Sequence, residues 1–192
     1  MDLREKVRAV YSRAAEQPEQ PHPFPVGREF AKSLGYPSEW LDQVPSTAVE
    51  AFAGVSNVPC FAEVPPAGAV LDMGCGAGLD SLLLARRAAY HGSVIGIDFS
   101  WSMLKRARCA AARGGTRNVL FCQADAERLP VGDSSIDVVI ANGIFNLNPA
   151  REAIIRELAR CLRPGGRLYG AELILKEGLA PEVKDTEANW FA

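Results

Sequence analysis

Histidine is nearly absent from these 192 residues, with only His22 and His91. A histidine-based metal site or a histidine-centred nucleophilic triad therefore has little to draw on. The five cysteines, Cys60, Cys75, Cys109, Cys122 and Cys161, are odd in number and widely spaced, without a C-x-x-C pair. That pattern excludes a zinc knuckle or a redox couple and reads as reduced thiols. Charge of one sign is also missing: 21 Lys+Arg stand against 23 Asp+Glu, with no basic run, so no nucleic-acid partner is expected. No apolar run approaches the roughly 20 residues that cross a bilayer; stretches such as Val138 to Ala141 are typical. The amphipathic start, MDLREKVRAV, lacks the apolar segment of a secretory signal, so the expectation is a cytoplasmic protein with no membrane partner.

What is present is a folded domain's composition, 48% apolar with a formal charge of -2. A chain of this length buries on the order of 70% of its unfolded surface in one core. Leu3, Val7, Val10 and Ala14 recur at helical spacing and predict an amphipathic helix of about four turns. Pro18, Pro21, Pro23 and Pro25 end it and make Gln17 to Pro25 an extended connector. Short helices anchored by Phe30, Leu34, Trp40, Leu41, Val44, Val49 and Phe52 are expected next, so residues 1–66 read as a helical cap on a core of residues 67–192.

From Gly68 the texture changes to AVLDM, LDSLLLARRAAY, SVIGIDF, SMLKRARCAAAR and NVLFCQAD, followed by IDVVIANG, a helix from about Pro149 to Leu162, and RLYGAELIL. Apolar strands without clean alternation, joined by helical crossovers, predict an α/β fold with a doubly wound, mainly parallel sheet of about five strands and three long helices. Ser100 is expected to cap the second helix. Asn148 with Pro149 should open the third, with Ile154, Ile155, Leu158 and Leu162 as its buried stripe. Only 17 residues follow Leu175, too few for two more strands and a helix, so the fifth strand is expected to be an edge covered by a terminal segment or in a homodimer.

A sheet of this kind places its ligand at the carboxyl ends of the strands. There the first strand delivers Asp72 and then Gly74, Gly76 and Gly78, glycines that let the backbone turn sharply and approach an anionic group near the next helix's amides. The second strand ends at Asp98, 20 residues beyond Gly78, placed to accept from two ribose hydroxyls. A dinucleotide-binding oxidoreductase is the competing reading, but its third glycine would fall at Leu79, whereas Gly78 here completes G-x-G-x-G. Asp125 and Ala126 end the third strand, suited to an adenine's amine and ring, with Phe99 and Met103 as apolar walls.

This constellation, closed by the turn Leu162 to Gly166, resembles the class I methyltransferases that use S-adenosylmethionine, over roughly Val70 to Leu175. Within that class the chain is most similar to the arsenite methyltransferase family, through Ser46 to Pro59, Val70 to Leu84, Asn118 to Pro130, Val138 to Leu147 and the segment Leu179 to Ala192. The resemblance implies a Rossmann-like core lacking the class's sixth and seventh strands. It also implies cofactor contacts at Asp72, Gly74, Gly76, Asp98, Phe99, Asp125, Ala126 and Asn142, with Tyr11 closing the pocket from above. Family members that methylate arsenic hold it with cysteines, one of them in the loop after the fourth strand, where this sequence has Gly143. The loop Asn142 to Asn148 offers no side chain suited to be a general base, so no catalytic residue and no metal are assigned. The expectation is methyl transfer to a small-molecule acceptor that is a soft nucleophile, arsenite-like or otherwise. A noncatalytic cofactor-binding or assembly protein derived from a methyltransferase is the alternative.

Overall fold

In the computed structural model, which describes residues 3–87 and 89–174, the apolar runs from residue 69 onward form one sheet of five parallel strands. They are β1 (Ala69–Met73), β2 (Ser93–Asp98), β3 (Val119–Gln123), β4 (Ile136–Asn142) and β5 (Leu162–Ala171). Their order is β3-β2-β1-β4-β5, so the direction of winding switches between β1 and β4. Leu71 pairs with Ile95 on one side and Val139 on the other, and Ile97 pairs with Cys122.

Before β1 come α1 (Leu3–Glu16), α2 (Arg28–Ser33), α3 (Ser38–Leu41), α4 (Ser46–Val49) and α5 (Val58–Phe61). The crossovers supply α6 (Leu79–Ala85), α7 (Trp101–Arg113) and α8 (Arg151–Cys161). Residues of the three central strands, β2, β1 and β4, alternate between two covered faces, as doubly wound sheets require. Val70, Val94, Val138 and Ile140 pack toward Val58 of α5 and Leu84 of α6, while Leu71, Met73, Ile97 and Val139 meet Ile154 and Leu158 of α8. Among the described residues no helix is long and apolar enough to cross a membrane.

The four-turn α1 forms as its periodicity predicts and lies on α7. Ser12 Oγ meets Ser100 Oγ at 2.9 Å, and Ser102 donates to Glu16 at 2.6 Å. Arg106 of α7 joins two cap helices to the core. Its Nη1 donates to Ala15 O at 3.0 Å and its Nε to Thr47 O at 2.9 Å, and it pairs with Glu50. Beyond α1 the proline connector folds back so that Phe24 stacks on Tyr11 with ring centroids 4.6 Å apart.

Three details differ from the sequence expectation. The helix read from LDSLLLARRAAY ends at Ala85, because Arg86 turns to donate to Gly114 O and Arg87 to Ala62 O and Pro59 O. α8 begins at Arg151 rather than Pro149: the Asn148 side chain accepts from the Ala150 amide at 2.8 Å and closes a turn before the helix instead of capping it. Ile155 is 49% exposed while Cys161 is buried, so the apolar stripe is Ile154, Leu158 and Cys161, and Leu162 already belongs to β5. Ser100 caps α7 as expected, accepting from the Met103 amide at 3.3 Å. The segment Leu179 to Ala192 lies outside the described residues, among which no strand pairs with the outer edge of β5.

Candidate functional site

A cavity of about 350 Å³ opens at the carboxyl ends of β1, β2 and β4 and is roofed by α1. All ten residues singled out from the sequence line it: Tyr11, Asp72, Gly74, Gly76, Asp98, Phe99, Met103, Asp125, Ala126 and Asn142. His22 and His91 do not. The His22 ring meets Gln17 O at 2.9 Å in the connector, and His91 is exposed in the turn before β2.

The floor is the loop between β1 and α6. Gly74, Gly76 and Gly78 adopt φ of 75°, 51° and 86°, the left-handed region that side chains disfavour. At Gly78 an added Cβ would stand 2.8 Å from Phe121 and 3.0 Å from Ala107, so strand, loop and α7 close on one another only without a side chain there. Cys75, between two of these glycines, is buried under the loop near Gly96, and burial pushes its thiol well above the usual range, so it is neutral.

Asp98 ends β2 and is 8% exposed. The Gly76 amide donates to its Oδ2 at 2.9 Å and the Ser100 amide to its Oδ1 at 2.8 Å, with the Phe99 amide as a third donor, which fixes the carboxylate plane without exhausting its four acceptor sites. Burial raises its pKa to about 6 against the opposing pull of those amides. Asp72, 2% exposed on β1, accepts from Ser81 Oγ at 2.5 Å. Burial first, and then the nearby charge of Asp80, push its carboxyl well above the ordinary carboxylate range.

Asp125 behaves differently. It sits in the turn after β3, bridged to Arg128, and Arg4 of α1 reaches it at 3.3 Å and also pairs with Glu127. Asn142 lines the cavity, but its amide faces the cap. Oδ1 accepts from the Val55 amide at 2.7 Å and the Ser56 amide at 3.1 Å, while Nδ2 donates to Ser56 O at 2.8 Å and Asp80 Oδ2 at 2.9 Å. Gly54 is pressed against it, since a Cβ there would lie 2.5 Å from Asn142 Nδ2.

Two acids escaped the sequence reading. Asp80, in the first turn of α6, is 5% exposed, lines the cavity and accepts from Tyr36 OH at 2.6 Å. Its position two residues after the last glycine was the available signal, hidden because a polar residue in a first helical turn is ordinarily solvated. Glu172, just past β5, accepts from the Ile144 and Phe145 amides at 2.6 Å each and so shapes the wall after β4. Nothing local marks it, because that bond links residues 28 positions apart.

The donor set and shape fit an adenosyl amino acid. There is a backbone cradle without side chains, a strand-end carboxylate with free lone pairs, and buried acids whose bonded partners are hydroxyls, amides and backbone rather than Lys or Arg. Comparison with known proteins agrees. Residues 66–191 match the profile of a methyltransferase domain. An arsenite methyltransferase of Halobacterium salinarum is 37% identical over 144 residues, 75% of this chain and 37% of that protein. A ubiquinone/menaquinone biosynthesis C-methyltransferase of Azotobacter vinelandii is 43% identical over 105 residues, 54% of this chain and 41% of that protein. The crystal structure of an arsenic(III) S-adenosylmethionine methyltransferase from Chlamydomonas reinhardtii matches with a TM-score of 0.61 at 28% identity, covering 81% of this chain and 51% of that one. The chain thus spans about half or less of these relatives' lengths. Through its sheet order, its glycine loop and this match over residues 66–191, the chain belongs to the methyltransferase domain family, with the class I fold that uses S-adenosylmethionine.

Proposed function

We propose that the protein binds S-adenosylmethionine in this cavity and transfers its methyl group to a small-molecule acceptor, with residues 1–66 acting as the lid of the core formed by residues 67–192. The observation that carries the reading is the join of Asp98 to the glycine loop: the bond from the Gly76 amide locks the strand-end carboxylate to the backbone cradle. In this reading Asp98 accepts from the ribose hydroxyls. Asp125 and the Ala126 backbone take the adenine between Phe99 and Met103, and Gly74 and Gly76 leave room for the amino-acid moiety beside Asp72. Tyr11, held by its stack on Phe24, closes the roof.

When bound, the cofactor supplies an electrophilic methyl group on a sulfonium sulfur that departs as a neutral thioether. What the chain contributes is alignment and exclusion of water. Phe52, Ala53 and Gly54 from the cap, with Ile144 and Leu147 from the loop after β4, line the rest of the cavity and offer an apolar wall to the acceptor. Asn142 ties these two segments together through the Val55 and Ser56 amides, so the cap closes on the acceptor side as one piece with the sheet.

An apolar acceptor wall suits a soft nucleophile that needs no deprotonation: a sulfur, an arsenic(III) species or a stabilised carbanion. Arsenic remains within that class through the similarity to arsenite methyltransferases. Of the five cysteines only Cys75 lines the cavity, however, and it is a neutral buried thiol rather than a thiolate ligand. Incubating the protein with methyl-labelled cofactor and arsenite, small thiols or quinone precursors tests the reading. Label should appear in at least one of these classes and depend on Asp98. Cofactor binding without label in any of them would favour a noncatalytic binding protein.

A further inference from the structure

Across the carboxyl edge of the sheet three buried acids follow one another: Asp98 from β2, Asp72 from β1, and Asp80, bonded to Asn142 at the end of β4. All three line the cavity, Asp98 and Asp72 on the neighbouring strands β2 and β1 and Asp80 in the first turn of α6. If Asp98 holds the ribose, as proposed above, the positively charged part of the cofactor extends from β2 over β1 toward β4, to the end where Asp72 and Asp80 stand.

These two acids are not equivalent. Asp72 lies beneath the loop with its hydroxyl and amide donors both on one residue, Ser81, and its carboxyl is pushed up by burial and by the charge of Asp80. Asp80 has a donor on each oxygen, Tyr36 OH on Oδ1 at 2.6 Å and Asn142 Nδ2 on Oδ2 at 2.9 Å. Burial raises its carboxyl too, but both donors oppose that rise. Two opposed donors favour the ionised form and fix the direction of the remaining lone pairs. Tyr36 is itself buried, packed edge-on against Phe52 with centroids 5.0 Å apart, so the clamp is part of the cap's core. A buried carboxylate held only by neutral donors gains most from a cation brought to it.

We propose that Asp80, clamped by Tyr36 and Asn142, makes the pocket prefer the sulfonium cofactor over its uncharged thioether product. The inference rests on the cofactor reading above. It assigns Asp80 a specificity role and Tyr36 a positioning role, and it gives a reason for product to leave: transfer of the methyl group removes the charge that Asp80 attracts.

The test is calorimetric titration of S-adenosylmethionine and S-adenosylhomocysteine into the unmodified protein, Asp80→Asn and Tyr36→Phe at pH 7.5. The unmodified protein should bind the sulfonium compound more tightly. In Asp80→Asn that preference should shrink by about tenfold, with the affinity for the thioether little changed, as expected for removing one charge of a buried pair. Tyr36→Phe, which deletes one hydroxyl and keeps the ring, should reduce the preference about two- to threefold, and it decides the matter if Asp80→Asn fails to fold. Equal losses for both ligands, or an unchanged ratio in a folded variant, would overturn the inference while leaving the cofactor reading standing. An unmodified protein that binds neither ligand would overturn both.

Discussion

At the β1/β2 end of the cavity the charges are buried and each is held by neutral donors. At its mouth Arg4 of α1 meets Asp125 and Glu127 in the open, with side-chain exposures of 37%, 51% and 26%. The same kind of group, a carboxylate beside a strand end, thus serves two purposes. Inside, removal from water makes each hydrogen bond and each charge consequential. At the mouth, solvent screens the ion pairs, and they hold the roof only weakly. Recognition is therefore expected to depend on the interior acids, and access on the exterior ones.

The largest effect that would break this contrast is at Asp98. Asp98→Ala removes the ribose acceptor and leaves the Gly76 and Ser100 amides without their partner, so affinity for S-adenosylhomocysteine should fall by about 100-fold or more, measured by calorimetry. Next comes the cradle itself. Gly78→Ala forces a side chain into a left-handed backbone, against Phe121 and Ala107, and should cost about 3 kcal/mol in urea unfolding. A variant as stable as the parent would show that the loop can relax.

The interior also predicts a pH dependence. The pKa of Asp98 is raised from the ordinary 3.8 to about 6 by burial, so the folded protein holds a proton that the unfolded chain releases. The stability this contributes is fully present below pH 3.8 and is lost as pH rises through about 6. Following ligand-free melting temperature across that window, Asp98→Asn should flatten the decline relative to the parent by an amount on the order of 3 kcal/mol. The smallest effect belongs to the mouth. Arg4→Ala should change stability by less than about 1 kcal/mol. It should speed cofactor release a few-fold and make that rate less sensitive to salt, measured by stopped-flow fluorescence.

The same division of inside and outside explains what the sequence made legible. The sheet could be read because its strands are apolar on both faces and its crossovers periodic. The glycine loop, Asp98 and Asp125 could be placed because each directly follows a strand, where topology dictates position. Asp80 and Glu172 could not. Their roles come from contacts with Tyr36, Asn142 and the loop after β4, made across long separations in the chain. Asn142 was legible as a residue of the site, yet not as the piece that ties the cap loop to the sheet. The early end of α6 was hidden for the same reason: Arg86 and Arg87 continue a helical pattern locally, but their guanidinium groups find carbonyls in Gly114, Pro59 and Ala62.

Titrating S-adenosylhomocysteine into the unmodified protein is the most direct examination of the cavity's assignment. Saturable binding at one site per chain, undiminished by excess NADH, is the predicted result. Absence of heat at millimolar ligand, or saturable binding of NADH in its place, would contradict it.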